Sequence, residues 1–228
     1  MADLSNWTPR LRPEPERLEG RTVTLERYDE ARHGQALWDG LGGPAVNDLI
    51  RYFPNPVYAE PAPLIAWLTG NQRDNVTMVY RSHADGAVCG MATYMRIDAA
   101  NGVCEVGSIA HAPHIQRSVM ATEAQYLMMR HVFEDLGYRR YEWKLNALNQ
   151  PSHAAARRLG FVFEGVFRNH MVAKGQNRDT AWYAMLDAEW PLHKQAFELW
   201  LQPANFDLGG RQIRRLEAIR EQLNGGQA

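Results

Sequence analysis

Residues 103–145 read VCEVGSIAHAPHIQRSVMATEAQYLMMRHVFEDLGYRRYEWKL, and this stretch decides the fold. Runs 103–110 and 138–145 are short and mostly apolar, which is typical of strands, whereas apolar side chains recur at helical spacing over 119–136. Gly137 is a suitable helix stop. A strand, a crossover helix and a second strand predict two parallel neighbours in one sheet.

Outward from this unit, the sequence alternates further strand and helix patterns. Strands are predicted over 22–26, 76–80, 87–94, 161–171 and 180–186, and the run 75–111 forms an antiparallel meander. Helices are predicted to begin at Asp29 and to cover 63–73, 149–159, 190–201 and 208–223. Residues 44–63 carry five prolines and predict a long, structured loop. The expected fold class is α/β (α+β), a mixed sheet flanked by helices.

Composition limits the classes of function. The 228 residues have a formal net charge of −1, so no overall field favours nucleic acid or an anionic membrane. Cys89 and Cys104 are too few for a disulfide framework or a four-ligand metal site, and buried small side chains are the expected role. The first residues lack the apolar run of a signal peptide, and no window is long enough for a membrane span. We therefore expect a cytoplasmic protein.

The chemistry is suggested by residues 114–124, HIQRSVMATEA, between a strand and the long helix. A helix start offers free backbone N–H groups and a partial positive charge, so a phosphate-bearing cofactor is the natural occupant. Side chains of Arg117, Ser118 and Thr122 could add donors. His111 and His114 lie nearby without a set of carboxylates or cysteines, so no metal is expected.

This stretch resembles the cofactor-binding motif of the GNAT superfamily of acyl-CoA transferases, in the version of its RimJ/RimL-type branch. Gln116 and Ala121 fit the motif, while Val119 stands where the first glycine is usual. Five segments in the branch order support the resemblance: Glu105-Val106-Gly107, Asn149-Gln150-Pro151-Ser152, Leu159-Gly160-Phe161, Glu164-Gly165 and Arg178-Asp179-Thr180. The resemblance implies a GNAT fold with a six- to seven-stranded, mostly antiparallel sheet whose parallel central pair is splayed.

The resemblance also implies acetyl-CoA (coenzyme A) as co-substrate, no metal, and direct attack of a primary amine on the thioester. The pantetheine arm would enter between the splayed strands, and the diphosphate would lie on the N–H groups of 117–122. The implied cofactor-binding residues are Ile109, Ala110, Gln116, Arg117, Ser118, Val119, Met120, Ala121, Thr122, Asn149, Ser152 and Arg157.

Two residues are candidates for proton transfer. Glu105 is the expected general base, directly or through water, with a salt-bridged strand residue as the alternative. Ser152 is the expected proton donor to the leaving thiolate, or a cofactor ligand, with a helix-start hydroxyl as the alternative. Many GNAT enzymes carry a tyrosine acid four residues before the glycine of Leu-Gly-Phe, and Ala156 occupies that position here.

The domain limits follow from these elements: an arm over 1–19, the GNAT acyltransferase domain over 20–190, and a helical extension over 191–228. The extension carries Phe197, Trp200, Ile213 and Leu216, which either pack on the domain or form a homodimer contact, so monomer and homodimer both stay open. The branch resemblance indicates a protein N-terminal amine as acceptor. A metabolite or antibiotic amine is an alternative, and a non-catalytic acyl-CoA-binding protein is an alternative of another class.

Overall fold

A computed structural model describes residues 3–226 of the chain, and its centre is one eight-stranded sheet. The strands run in the order β1-β2-β3-β4-β5-β6-β8-β7, and β5 and β6 are parallel while every other neighbouring pair is antiparallel. Their bounds are Arg17–Glu19 (β1), Val23–Arg27 (β2), Val76–Ser82 (β3), Val88–Asp98 (β4), Val103–His111 (β5), Arg140–Asn146 (β6), Val162–Ala173 (β7) and Gln176–Leu186 (β8). The parallel pair predicted from the crossover is therefore confirmed, and the sheet has one strand beyond the expected seven.

In the described part of the chain, seven α-helices flank the sheet, at Glu30–Gly40 (α1), Val46–Leu49 (α2), Pro61–Asn71 (α3), Val119–Arg130 (α4), Gln150–Leu159 (α5), Trp190–Trp200 (α6) and Leu216–Gly225 (α7). The apolar side chains of α4, α5, α6 and α7 share one core with one face of the sheet. A second core joins α1, α2 and α3 to the opposite face, through Val79, Val88, Met91 and Ala110 of β3, β4 and β5. On β5 and β6, this same face carries the polar side chains of Glu105, Glu142 and Lys144. This polar part of the sheet forms the floor of the site.

The additional strand comes from the segment predicted to be a loose arm. Its residues Arg17–Glu19 pair with β2. The preceding chain is also tied down, because the Trp7 indole donates to the Ala100 carbonyl at 2.7 Å and the Tyr138 hydroxyl donates to the Leu11 carbonyl at 3.0 Å. Residues 1, 2, 227 and 228, at the ends of the predicted arm and extension, lie outside the described part of the chain.

The helix predicted over 208–223 is wrong in its first half. The α-helix begins at Leu216, and Asp207 explains why, since its Oδ1 accepts from the backbone N–H groups of Gly209 and Arg211 at 2.9 Å each. Such local bonds compete with helix formation. Ile213 is consequently 65% exposed instead of sharing the buried face of Leu216, which packs inside the chain with Phe197 and Trp200.

The helix predicted over 119–136 is α-helical only to Arg130 and continues as a π-helical turn, His131–Asp135, before Gly137. Cys89 and Cys104 are both buried and free, as expected. Within residues 3–226, no helix is both long and apolar enough to cross a bilayer. The cytoplasmic location stays a prediction.

Candidate active site

The parallel strands β5 and β6 separate in the middle of the sheet. Their pairing begins at Val103↔Arg140 and stops at Val106↔Trp143, although β5 continues to His111 and β6 to Asn146. The cause is a β-bulge, because β5 has one more residue than β4 between the pairs Thr93↔Gly107 and Met91↔Ala110. Ser108 in this bulge has a φ of +47°, which is uncommon outside glycine. Two strand edges therefore face each other across a gap.

The start of α4 lies at one end of this gap. The Ser118 side chain caps the helix by accepting from the Ala121 N–H at 3.2 Å, and the preceding Arg117 has a φ of +60°. The first N–H groups of a helix have no intrahelical acceptor. Ser118 engages one of them, and those of Val119 and Met120 stay available within the described residues. This is the anion-binding arrangement predicted from the sequence.

Two cavities meet at the gap. The front cavity, of about 770 Å³, lies over the polar sheet face and under α2 and the chain that follows it to residue 58, together called the 46–58 loop. It reaches Glu105, Gly107, Asn149, Ser152 and Arg178. The back cavity, of about 1230 Å³, surrounds the start of α4 and extends to α7. Both are lined by His111, Arg117, Trp143, Pro151 and Ala155. The site is thus a passage through the sheet with one opening on each side.

The predicted site residues divide between these cavities. The front cavity holds Glu105, Ile109, Ala110, Gln116, Asn149 and Ser152. The back cavity holds Ser118, Val119, Met120, Ala121 and Thr122, and Arg117 reaches both. Arg157 lines neither cavity, because its side chain points to solvent from the outer face of α5.

The neighbouring Arg158 occupies the place expected for Arg157. Its guanidinium donates to the Thr122 hydroxyl at 3.1 Å, lies 4.9 Å from the Trp200 ring centre and lines the back cavity. Burial lowers the pKa of Arg158 below its usual value. A helix turns about 100° per residue, so adjacent arginines point in different directions, and only the packing of α5 decides which one faces α4.

Glu105 is almost fully buried, and its Oε2 binds two cations. Arg96 donates to this oxygen at 2.7 Å, and the Lys144 ammonium lies 3.1 Å from it. Lys144 also forms an ion pair with Glu142 and lies 3.8 Å from the Trp182 ring centre. Oε1 has no hydrogen-bond donor within the described residues, and it lies beside Gly107. One carboxylate oxygen is therefore structural and the other is free.

The first turn of α5 places polar groups on the other side of the gap. The Asn149 Oδ1 accepts from the Ser152 N–H at 3.2 Å, so this side chain caps the helix and its Nδ2 stays free to donate. The Ser152 hydroxyl accepts from the Trp143 indole at 2.9 Å, which leaves its own proton for another acceptor. Ala156 is completely buried behind them. Because its methyl side chain cannot donate a proton, α5 offers no acid at that position.

His111 stands where the two cavities join. Its Nε2 is buried and has no hydrogen-bond partner among residues 3–226. Burial lowers the pKa of His111 to about 4, so the ring is neutral at physiological pH. An orphaned imidazole nitrogen at this junction is a polar group that a bound molecule can satisfy.

Sequence reasoning missed Arg96, Lys144 and Arg178. Strand alternation held part of the signal, since the charged residues Glu142 and Lys144 alternate along β6 with the apolar residues Tyr141, Trp143 and Leu145 and so indicate a polar sheet face. Arg178 was noted as part of a signature but given no role. Its place in the cavity that Glu105 also lines depends on the pairing of β8 with β6 and β7.

Comparison with known proteins agrees with this geometry. The family model described as the acetyltransferase (GNAT) domain matches residues 23–162, which is more than half of the chain. The chain belongs to the GNAT acetyltransferase family. This membership confirms the GNAT family, the fold and the transferase class that the sequence indicated, and the RimJ/RimL-type branch stays a prediction.

Solved structures extend the likeness to nearly the whole chain. A GCN5-related N-acetyltransferase from Brucella melitensis is 45% identical with a TM-score of 0.92, over 96% of this chain and 100% of that one. A probable GNAT-family acetyltransferase from Chromobacterium violaceum is 34% identical with a TM-score of 0.77, over 84% of this chain and 96% of that one. The GNAT fold therefore covers more than the segment that the family model matches.

One curated relative is more distant. "Putative ribosomal N-acetyltransferase YdaF" of Bacillus subtilis (strain 168) is 29% identical over 106 residues, which are 46% of this chain. The alignment spans only 57% of that relative, so it covers little more than half of its length.

Proposed function

We propose that the chain is an acetyl-CoA-dependent N-acetyltransferase of the RimJ/RimL-type branch that acts on a primary amine by direct attack. The observation that carries this proposal is the gap between β5 and β6, which opens at the capped start of α4 and joins two cavities. A strand edge, a helix start and a passage through the sheet are what a long, anionic thioester cofactor requires.

The residues at the gap fit coenzyme A. Arginines 21, 117, 158, 211 and 215 surround the back cavity and would attract its phosphates, while the N–H groups of Val119 and Met120 would bind the diphosphate. The edge of β5 near Ile109 and Ala110, the Asn149 Nδ2 and the His111 Nε2 would hydrogen-bond the pantetheine arm. When bound, acetyl-CoA supplies the acetyl thioester to be transferred.

Two side chains would move protons in this site. Glu105 keeps Oε1 free beside Gly107 while Arg96 and Lys144 hold Oε2, so it can accept a proton from the acceptor amine or from a water next to it. Ser152 keeps its hydroxyl proton available and can donate it to the departing sulfur. The two residues line the same cavity from opposite sides of the gap.

The acceptor is a primary amine that enters the front cavity, and two classes of amine have support. The name of the YdaF relative supports a protein N-terminal amine. A small-molecule amine is supported by the 46–58 loop, which reaches both sides of the front cavity. Tyr52 donates to the Leu148 carbonyl at 3.4 Å, and Lys174 of the β7–β8 turn donates to the Arg51 carbonyl at 3.1 Å. These contacts leave less room for a polypeptide than for a small molecule.

The test uses the purified chain, acetyl-CoA and a panel of small amines and peptides, with free thiol as the readout and mass spectrometry of the acetylated product. We expect thiol release that depends on the amine. Tight acetyl-CoA binding in calorimetry without thiol release across the panel would instead support a non-catalytic acyl-CoA-binding protein.

A further inference from the structure

The front cavity is rich in cations. Its cationic side chains are Arg51, Arg96, Arg117, Lys144 and Arg178, whereas its carboxylates are Asp48 and Glu105. Glu105 is already paired with Arg96 and Lys144. A second ammonium group on an acceptor would therefore meet like charge here, and an anionic group would meet opposite charge.

Among the cations that line this cavity, Arg178 is the one with a buried N–H group that has no acceptor within the described residues. It is partly buried, its Nε is buried without an acceptor, and its Nη1 contacts only the Met171 sulfur at 3.4 Å, within the part of the chain that the structure describes. No carboxylate of the described residues pairs with it. A guanidinium with a buried N–H and no anion is costly, and a planar oxyanion is the partner that suits it best.

Arg178 lines the cavity from the same face of the sheet as Lys144. Side chains alternate along β8, so Arg178 shares one sheet face with Thr180 and Trp182, and the register places Trp182 opposite Lys144. Burial lowers the pKa of Arg178, and Arg96 and Glu105 are close enough to act on that pKa electrostatically, in opposite directions. The unpaired guanidinium and the free Oε1 of Glu105 are thus two polar groups on the same floor.

We propose that the acceptor is a small primary amine that also carries an oxyanion, a carboxylate or a phosphate, and that Arg178 binds this group. The inference rests on the proposed function and names its substrate class. A bound oxyanion would form charge-assisted hydrogen bonds with the guanidinium and orient the amine toward Glu105. The surrounding cations also disfavour the protonated amine, which keeps the nucleophile in its reactive neutral form.

The test compares matched four-carbon amines, namely 4-aminobutanoate, 4-aminobutyl phosphate, 4-aminobutan-1-ol and 1,4-diaminobutane. We expect kcat/KM for at least one anionic amine to exceed that of the alcohol by about tenfold, with the diamine lowest, as for one charge-assisted hydrogen bond. The better of the two anionic amines identifies the oxyanion. A preference for the diamine, or equal rates for all four, overturns the proposal.

Variants assign the preference to Arg178. Arg178→Gln should lower kcat/KM for the anionic amine about tenfold more than kcat/KM for the alcohol, whereas Arg178→Lys should keep part of the preference because it keeps the charge. Arg168→Gln is the matched control, since Arg168 is exposed on the same hairpin and lines neither cavity. An equal loss for every amine in Arg178→Gln would assign Arg178 to the structure alone and contradict the proposal.

Two further outcomes separate this inference from the proposed function. If the protein binds acetyl-CoA but acetylates none of the amines, the proposed activity fails, and binding of 4-aminobutanoate or 4-aminobutyl phosphate to wild type and Arg178→Gln by calorimetry still tests the inference. Equal or absent binding then overturns it. Acetylation of peptides that begin with an acidic segment, with no small amine accepted, supports the transferase and overturns the small oxyanionic acceptor.

Discussion

The two cavities that meet at the β5–β6 gap differ in the groups that form them, which are mainly backbone groups in one and mainly side chains in the other. The back cavity is organised around backbone: the capped start of α4 and its free N–H groups, with arginines at the rim. The front cavity is organised around side chains of four strands, joined in a network of Arg96, Glu105, Lys144 and Glu142, with Arg178 unpaired beside it. Backbone sites tolerate sequence change, whereas side-chain sites do not. The cofactor side should therefore be robust to single substitutions and the acceptor side sensitive to them.

The largest effect is expected from Glu105→Gln in the front cavity. The change removes the free carboxylate oxygen and leaves Arg96 and Lys144 with one fewer anion. Turnover at neutral pH should fall about a thousandfold, within the range for a lost general base, with little change in acetyl-CoA affinity. Glu164→Gln is the control, since Glu164 pairs with Arg140 farther along β6 and lines neither cavity. Unchanged kcat in Glu105→Gln would make Glu105 a structural residue.

Acid stability tests His111, one of the residues that line both cavities. Burial lowers the pKa of His111 to about 4, and burial followed by the nearby Arg220 lowers the pKa of His193 to about 4. Between pH ~6.5 and about 4, each ring stays neutral in the folded protein, whereas the same ring in the unfolded chain takes up a proton. Stability is therefore full above pH ~6.5 and falls as the pH drops toward 4, by up to ~3 kcal/mol for each ring.

The two histidines can be separated by chemical denaturation of His111→Gln and His193→Gln between pH 7 and 4. Each variant should show a shallower pH dependence than wild type. Acetyl-CoA should alter the pH dependence that is due to His111 and leave that of His193, which lies against Gly160 outside both cavities. An identical response of the two variants to acetyl-CoA would place His111 away from the cofactor.

Ser152 and Ser118 offer a direct comparison between the cavities. Ser152→Ala removes the proposed proton donor and should lower kcat about a hundredfold at saturating acetyl-CoA. Ser118→Ala removes a helix cap on the cofactor side and should cost ~1 kcal/mol of stability with kcat nearly unchanged. Steady-state kinetics and thermal melts of both variants check this contrast. An equal kcat for the two variants would contradict the proposed role of Ser152 as proton donor.

The smallest effect is expected from Asn149→Asp. An aspartate keeps the oxygen that caps α5 through the Ser152 N–H but replaces the free Nδ2 with an acceptor. The Kd for acetyl-CoA should rise about tenfold, as for one lost hydrogen bond, while the melting temperature stays the same. Calorimetry measures the first and circular dichroism the second, and an unchanged Kd would show that Nδ2 does not bind the cofactor.

Several of these features were readable from the sequence. The crossover unit predicted the parallel pair, Asp29 was correctly placed at a helix start, and its side chain accepts from the Arg32 N–H at 2.9 Å. The helix-start motif was located, but no role was predicted for its glutamate, Glu123, which stabilises the fold. Glu123 is buried and accepts from the backbone N–H groups of Arg21 and Thr22 at 2.7 Å each. The place of Glu123 in the motif therefore did not reveal that its side chain binds the backbone before β2.

The sequence by itself determined the order of most strands and helices and the parallel pair, because these depend on periodicity and on local cap and turn residues. It indicated the family through motifs that resemble those of GNAT enzymes, such as the one that spans Gln116 and Ala121. Tertiary structure alone decided the bulge at Ser108, the choice of Arg158 over Arg157, the partners of Glu105 and the unpaired state of Arg178. These features join residues that lie far apart along the chain, and their geometry is set by strand register and helix rotation. Local sequence carries no signal for either, since both are fixed only when the cores on the two faces of the sheet pack.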